Sequence, residues 1–199
     1  MKIICIGRNY AQHAKELNNP LPENPLFFVK PDTALLRTNI FYIPPFSNNI
    51  HYELEFVVKI CKVGKSISSK FANKYYEEVT IGLDLTARDL QLECKRNGYP
   101  WEIAKAFDFS APIGKWQFKN SLNSQDFYLL KNGEKVQVGN PNQMIFDIDT
   151  IISYVSKFMT LKKGDLIYTG TPSGVGKIES GDKFLGYLDA KKCLDLSVK

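Results

Sequence analysis

The sequence predicts a β-dominated α+β fold. Many short β-type segments are joined by only a few helical ones, and they do not alternate with helices as a doubly wound parallel sheet requires. With 199 residues, 44% of them hydrophobic, and with 13 Phe, 10 Tyr and 2 Trp, the chain carries enough apolar material for one sizeable core. We read residues 1–199 as a single domain, without internal repeat, low-complexity tract or linker.

Ile3 to Ile6 is a short apolar strand broken by Gly7-Arg8-Asn9. Tyr10 to Leu17 has helix-forming composition, with Asn9 placed to cap it. Pro20 and Pro22 make Asn18 to Asn24 a loop, after which Leu26 to Val29 reads as a buried strand ended by Lys30-Pro31. The clearest strand is Tyr52 to Ile60, rich in Val, Ile and aromatic residues. Glu77 to Leu85 follows as a strand and Thr86 to Arg96 as a helix. Further strands are expected at Phe127 to Leu130, Glu134 to Val138, Asp165 to Thr169 and Lys183 to Leu188, with Asn132-Gly133 as a hairpin turn. Apolar residues at 148, 151, 152, 155 and 158 mark Asp147 to Phe158 as an amphipathic helix.

Twenty-six basic and 21 acidic residues leave a net charge of +5, spread without a dense basic run. This argues against a nucleic-acid partner and suits a small anionic one. Cys5, Cys61, Cys94 and Cys193 are scattered, with no metal-knuckle or disulfide spacing, and read as reduced thiols. The apolar run at the N-terminus is too short for a signal peptide, and no stretch approaches the roughly 18 apolar residues of a membrane span. A cytoplasmic protein with no membrane partner is expected.

Glu53 and Glu55 stand two apart in a strand, so their carboxylates project from the same face. On a solvated face such a pair needs no explanation. Here the strand continues into Phe56-Val57-Val58, where two adjacent carboxylates would repel and lose hydration, and a divalent cation removes both problems. Asp84, at the end of the apolar run Ile81 to Leu85, offers a third carboxylate; its alternative role is to cap the helix that follows. Three carboxylates suit one Mg²⁺ or Mn²⁺ ion. Zinc suits them less, because His13 and His51 are the only histidines and the cysteines do not cluster.

His13 and Glu16, three apart on the first helix, share a face and can pair, as a general base with its orienting carboxylate or as an ordinary surface pair. Lys105 lies in an apolar setting, fit to bind a substrate carboxylate, to deliver a proton, or to snorkel to water. The run Thr169 to Lys177 is not a phosphate loop, since Thr171 stands where the first glycine is required and Ile178 follows the lysine. It remains a tight turn able to bring backbone N–H groups or the Thr171 hydroxyl to a ligand, or to serve structure alone.

Six segments in order carry a resemblance over nearly the whole chain. They are Gly7-Arg8-Asn9-Tyr10 with His13 and Glu16; Phe27 to Pro31; His51 to Glu55; Asp84 to Gln91; Pro100-Trp101 with Ala104-Lys105; and Gly164-Asp165 with Gly170 to Gly176. The chain resembles the fumarylacetoacetate hydrolase family, and most of all its short, single-domain acylpyruvase and oxaloacetate decarboxylase branch. The resemblance implies the family's β-roll with few short helices, a homodimer, and a metal held by Glu53, Glu55 and Asp84. It also implies that the helix bearing His13 and Glu16 acts as a lid, and that Arg8, Lys30, Arg88, Gln91, Lys105 and Thr171 line the pocket. The function expected is metal-dependent hydrolysis of a C–C bond in an acylpyruvate-type 2-oxo acid. His13 would act as base, oriented by Glu16, with Lys105 stabilising or protonating the pyruvate enolate as it leaves. Oxaloacetate decarboxylation and isomerisation of an unsaturated 2-oxo diacid are the enzymatic alternatives. A noncatalytic metal or keto-acid binding protein is the alternative of a different class.

Overall fold

The structure is a computed structural model that describes residues 1–16 and 20–199. Leu17, at the end of the expected first helix, and Asn18 and Asn19, at the start of the expected loop, lie outside the described residues.

Two sheets form the frame. The first runs in the order Gln117–Phe118, Tyr76–Leu83, Leu54–Ile60, Leu166–Tyr168, Ile3–Gly7, Leu26–Lys30, and is mainly antiparallel with one parallel pairing, Ile3–Gly7 on Leu166–Tyr168. The second runs Glu134–Gly139, Phe127–Lys131, Lys183–Leu188, Lys191–Val198, Ile40–Phe41. Phe56 meets Phe127 between them, ring centroids 6.1 Å apart, and the main core fills this space. Alternate residues of the first sheet serve different cores. Ile4, Ile6, Phe56 and Val58 face the main one, while Ile3, Cys5 and Val57 join Ala34, Leu35, Ala111 and Tyr168 in a smaller cluster. Burial on both faces is why these strands read as unbroken apolar runs.

The helix Ile148–Phe158 is capped by Asp147, whose side chain accepts from the Thr150 N–H at 2.8 Å. Ile148, Ile151, Ile152 and Val155 are buried as the spacing requires, but Phe158 is exposed and rests beside Phe27 and Tyr154 at its rim. Asn132 and Gly133 both take positive φ, 53° and 90°, as a two-residue hairpin turn demands.

Four local expectations need correction. The Tyr52–Ile60 strand is interrupted at Glu53: Ile50–Tyr52 belongs to a separate three-stranded sheet, and the Leu54 N–H is taken by Gln137 Oε1 at 2.9 Å. Asn9 does not cap the first helix, which spans Ala11–Glu16. Its buried amide instead donates to the Phe146 and Thr169 carbonyls and accepts from the Phe146 N–H, tying the turn after the first strand to the 169–171 loop. The helix after Asp84 begins later than expected, spanning Arg88–Asn97. A further strand, Lys191–Val198, closes the second sheet.

Gly82 pairs with Glu55 across the first sheet. A Cβ on it would lie 2.7 Å from the Tyr168 ring and hydroxyl and 2.8 Å from the Pro112 carbonyl oxygen. Because the Tyr168 hydroxyl itself donates to Pro112 at 3.1 Å, neither neighbour can give way alone. Gly82→Ala is therefore expected to cost about 1–3 kcal/mol of stability, read as a lower urea midpoint with an unchanged slope.

Candidate active site

Sheet register assembles the carboxylates. Leu54 pairs with Leu83, so the residues just outside that pair, Glu53 and Asp84, sit side by side, joined by an Asp84 N–H to Glu53 carbonyl bond of 2.8 Å. Glu55 projects from the same strand two residues on. All three are buried, and one oxygen from each lies within 4.8 Å of the others, the metal-ligand grouping found among the described residues. Asp84 is not a helix cap: the N-cap position is Ala87, which has no side-chain bond, and the Asp84 carboxylate faces Lys30 and Lys105 instead.

The three carboxylates differ in how their charge is met. Glu53 receives Arg88 Nη2 at 2.5 Å and Lys105 Nζ at 2.8 Å. Burial opposes its ionisation, yet Lys105 and Arg88 outweigh burial and hold its carboxyl well below the usual range. Asp84 is paired with Lys30 Nζ and Lys105 Nζ, each at 2.7 Å. Glu55 forms no ion pair among the described residues. One oxygen accepts from the Gly170 N–H at 2.7 Å, while burial and the neighbouring Asp84 charge push its pKa well up. A buried carboxylate with no cation of its own, beside two others, is a donor set that fits a hard divalent ion.

Lys105 is buried, and burial works against its charge, but Asp84 and Glu53 raise its pKa, so it is an ammonium bridging the two carboxylates. It also donates to the Thr86 hydroxyl at 2.6 Å. Snorkelling is thus excluded. Lys30 requires a correction, because it does not line the cavity. It is fully buried behind Asp84, where it donates to the carbonyls of Leu85 and Ser110 and to the Ser110 hydroxyl. No donor is left for a substrate, and its role is to hold Asp84.

The remaining residues named from the sequence converge on one tight cavity of ≈ 40 Å³, lined among others by Arg8, His13, Arg88, Gln91, Lys105 and Thr171 together with the carboxylate trio. His13 is buried, its Nδ1 3.0 Å from Glu16 Oε2, and the other Glu16 oxygen accepts from the Gly174 N–H at 3.1 Å. The helix Ala11–Glu16 is thereby fastened over the cavity by the glycine-containing loop. Arg88 Nη1 donates to Gln91 Oε1 at 2.7 Å, turning the Gln91 NH₂ group outward as a donor. Arg8 holds φ at 58°, a left-handed conformation that costs a non-glycine residue about 1–3 kcal/mol and is concentrated at functional sites.

Two residues not singled out from the sequence belong here. Gln137, buried on the far hairpin, donates to Thr171 Oγ1 and the Pro172 carbonyl, both at 2.9 Å, and so braces the loop that carries Thr171. Lys95 lines the cavity from the same helix as Arg88 and Gln91. Its spacing of seven from Arg88 and four from Gln91 was a legible signal for one helix face.

A twisted β framework that gathers three buried carboxylates under a histidine-bearing helix defines a class of protein as well as a site. A family model described as fumarylacetoacetate (FAA) hydrolase C-terminal matches residues 2–194, and the chain belongs to that family. It is similar to the mitochondrial oxaloacetate decarboxylase of Dictyostelium discoideum, 44% identical over 185 residues that cover 90% of this chain and 85% of that protein. It is also similar to the mitochondrial oxaloacetate tautomerase of Bos taurus, 42% identical over 185 residues, 91% of this chain and 84% of the relative. Among solved structures it resembles the fumarylpyruvate hydrolase of Pseudomonas aeruginosa in complex with Mn²⁺ and pyruvate, with a TM-score of 0.93 and 39% identity over 100% of this chain and 89% of that one. Among the described residues no helix is long and apolar enough to cross a membrane.

Proposed function

We propose that this chain is a divalent-metal-dependent enzyme that hydrolyses a C–C bond of an acylpyruvate-type 2-oxo acid. The observation that carries the reading is the buried trio Glu53, Glu55 and Asp84, within 4.8 Å of one another, in a cavity that also receives His13. Residues 1–199 act as one catalytic domain, as a cytoplasmic homodimer, and the trio holds one Mg²⁺ or Mn²⁺ ion. When bound, that ion supplies Lewis-acid polarisation of the 2-oxo and carboxylate oxygens of the substrate.

The chain's own residues supply the rest. With Nδ1–H donated to Glu16, the His13 ring keeps its Nε2 lone pair as the base that takes a proton from water, and Glu16 stabilises the imidazolium that results. Lys105, held protonated, offers its charge and a proton to the departing enolate. Gln91, aimed by Arg88, and Thr171, aimed by Gln137, position polar groups of the substrate.

A second reading is oxaloacetate decarboxylation, favoured by the name of the relative at 44% identity, an oxaloacetate decarboxylase. It needs the same trio and enolate but no attacking water. The test is a panel of 2-oxo acids assayed with chelator and after return of Mg²⁺ or Mn²⁺. Turnover of acetylpyruvate is expected to vanish with chelator and to return with either ion. Ligand binding without turnover of any member would instead support a noncatalytic keto-acid binder.

A further inference from the structure

A carboxamide has two unlike ends, and at Gln137 both are fixed by groups whose polarity cannot change. The Leu54 N–H, between the two glutamates of the trio, can only donate, and it meets Gln137 Oε1 at 2.9 Å. The Pro172 carbonyl can only accept, and it meets Gln137 Nε2 at 2.9 Å. A flipped amide would set donor against donor and acceptor against acceptor, so the network allows one orientation. The second Nε2 hydrogen then goes to Thr171 Oγ1, also at 2.9 Å. Gln137 is buried behind the cavity wall, and Thr171 is the residue of this chain of bonds that reaches the cavity.

The Thr171 hydrogen cannot return to the group that donates to it. Two acceptors are left. One is the Pro172 carbonyl at 3.3 Å, beyond the usual O–H···O distance and already served by Gln137; the other is an oxygen of whatever occupies the cavity. Gln137 thereby makes Thr171 a donor toward the cavity. Arg88 treats Gln91 in the same way, filling Oε1 at 2.7 Å and leaving the NH₂ group facing out. Thr171 from its loop and Gln91 from the helix Arg88–Asn97 present hydrogen to one space, a polarity that fits the oxygens of a carboxylate or an enolate.

We propose that Gln137 is a positioning residue for substrate: by serving both the Pro172 carbonyl and the Thr171 hydroxyl, it turns the Thr171 O–H to a carboxylate or enolate oxygen of the 2-oxo acid. This rests on the reading of the cavity as a 2-oxo acid site. Without the Gln137 NH₂ group the buried Pro172 carbonyl loses its donor and draws the Thr171 O–H away from the cavity. The test is a double-mutant cycle in the full chain with Mn²⁺ on acetylpyruvate, comprising wild type, Gln137→Met, Thr171→Val and the double variant, with Thr171→Ser as the conservative control. Gln137→Met and Thr171→Val should each raise KM about tenfold or more with kcat within about threefold of wild type. Thr171→Ser should stay close to wild type, and the double variant should lie within about threefold of Thr171→Val alone. A Gln137 that acts only through general stability would multiply the two losses to about 100-fold, which overturns the proposal, as does an unchanged KM in Gln137→Met. If Gln137→Met fails to fold because the Leu54 N–H has lost its acceptor, Gln137→Glu keeps that acceptor and has at most one hydrogen for two groups; an unchanged KM there overturns the proposal equally. A wild type that does not turn over acetylpyruvate overturns the hydrolase reading alone, and the same cycle is then read from the dissociation constant of pyruvate by calorimetry. A protein that neither turns over acetylpyruvate nor binds pyruvate overturns both.

Discussion

Glu55→Gln is expected to abolish tight Mn²⁺ binding and to leave the metal-free protein at least as stable as wild type. The two halves of this result share one cause. Among the described residues Glu55 is the carboxylate of the trio with no ion pair, it is buried and crowded by Asp84, and the hydrogen bond it accepts there comes from the Gly170 N–H. A glutamine keeps its shape, still accepts from Gly170, and removes a charge that burial disfavours. Metal affinity depends on the number of charged ligands, so its loss should weaken binding at least about 100-fold, measured by calorimetry or by the Mn²⁺ resonance signal. Glu53→Gln should behave in the opposite way toward stability. It strands Arg88 and Lys105 without their shared partner, a buried break that costs about 3–5 kcal/mol. If Glu55→Gln proves as destabilising as Glu53→Gln, or binds Mn²⁺ as wild type does, the assignment of Glu55 as the ligand awaiting a cation is wrong.

Much of this site was legible because it depends on short-range geometry. Glu53 and Glu55 are two apart on a strand, His13 and Glu16 three apart on a helix, and Asp84 ends an apolar run; each spacing fixes where the side chains stand on their own element. What local pattern cannot say is which distant side chain answers a charge. Lys30 and Lys105 are 54 and 21 residues from Asp84, one ending a strand of the first sheet and the other the short helix Glu102–Lys105, and only the tertiary fold brings all three together, making one lysine a buried brace and the other the bridge between Glu53 and Asp84. The interruption at Glu53 has the same origin, since the Leu54 N–H leaves its ladder for a side chain 83 positions away.

The fold was readable to a similar degree and failed for similar reasons. The Asn132-Gly133 turn announces itself because its residues tolerate positive φ. The turn before the Lys191–Val198 strand places Asp189 and Ala190 at φ 49° and 62°, and alanine gives no hint of that conformation. Without the turn signal, and with Lys191, Lys192 and Asp195 diluting its apolar alternation, the last strand did not stand out. Asn9 misled in the other direction. Its position suited a helix cap, but its three hydrogen bonds hold the Phe146 and Thr169 segments together.

His13→Ala should separate the two reactions that the carboxylate trio can support. Hydrolysis needs a base to activate water, and His13, paired to Glu16 and buried in the cavity, is the group positioned for it. Its removal is expected to lower kcat on acetylpyruvate by about 10²–10⁴-fold. Decarboxylation of oxaloacetate requires stabilisation of the enolate but no activated water, so it should fall far less. The same contrast predicts the effect of Glu16→Gln. The amide keeps one acceptor oxygen where the carboxylate uses two, so it can serve either the His13 ring or the Gly174 N–H, and it no longer stabilises an imidazolium; hydrolysis should drop. The measurement is the pair of kcat values for each variant with Mn²⁺ binding confirmed separately, because a variant that has lost its ion would lose both reactions. Equal losses on both substrates in a metal-replete His13→Ala enzyme would remove water activation from His13, leaving it a general part of the lid. Parallel retention of both would remove it from the chemistry altogether.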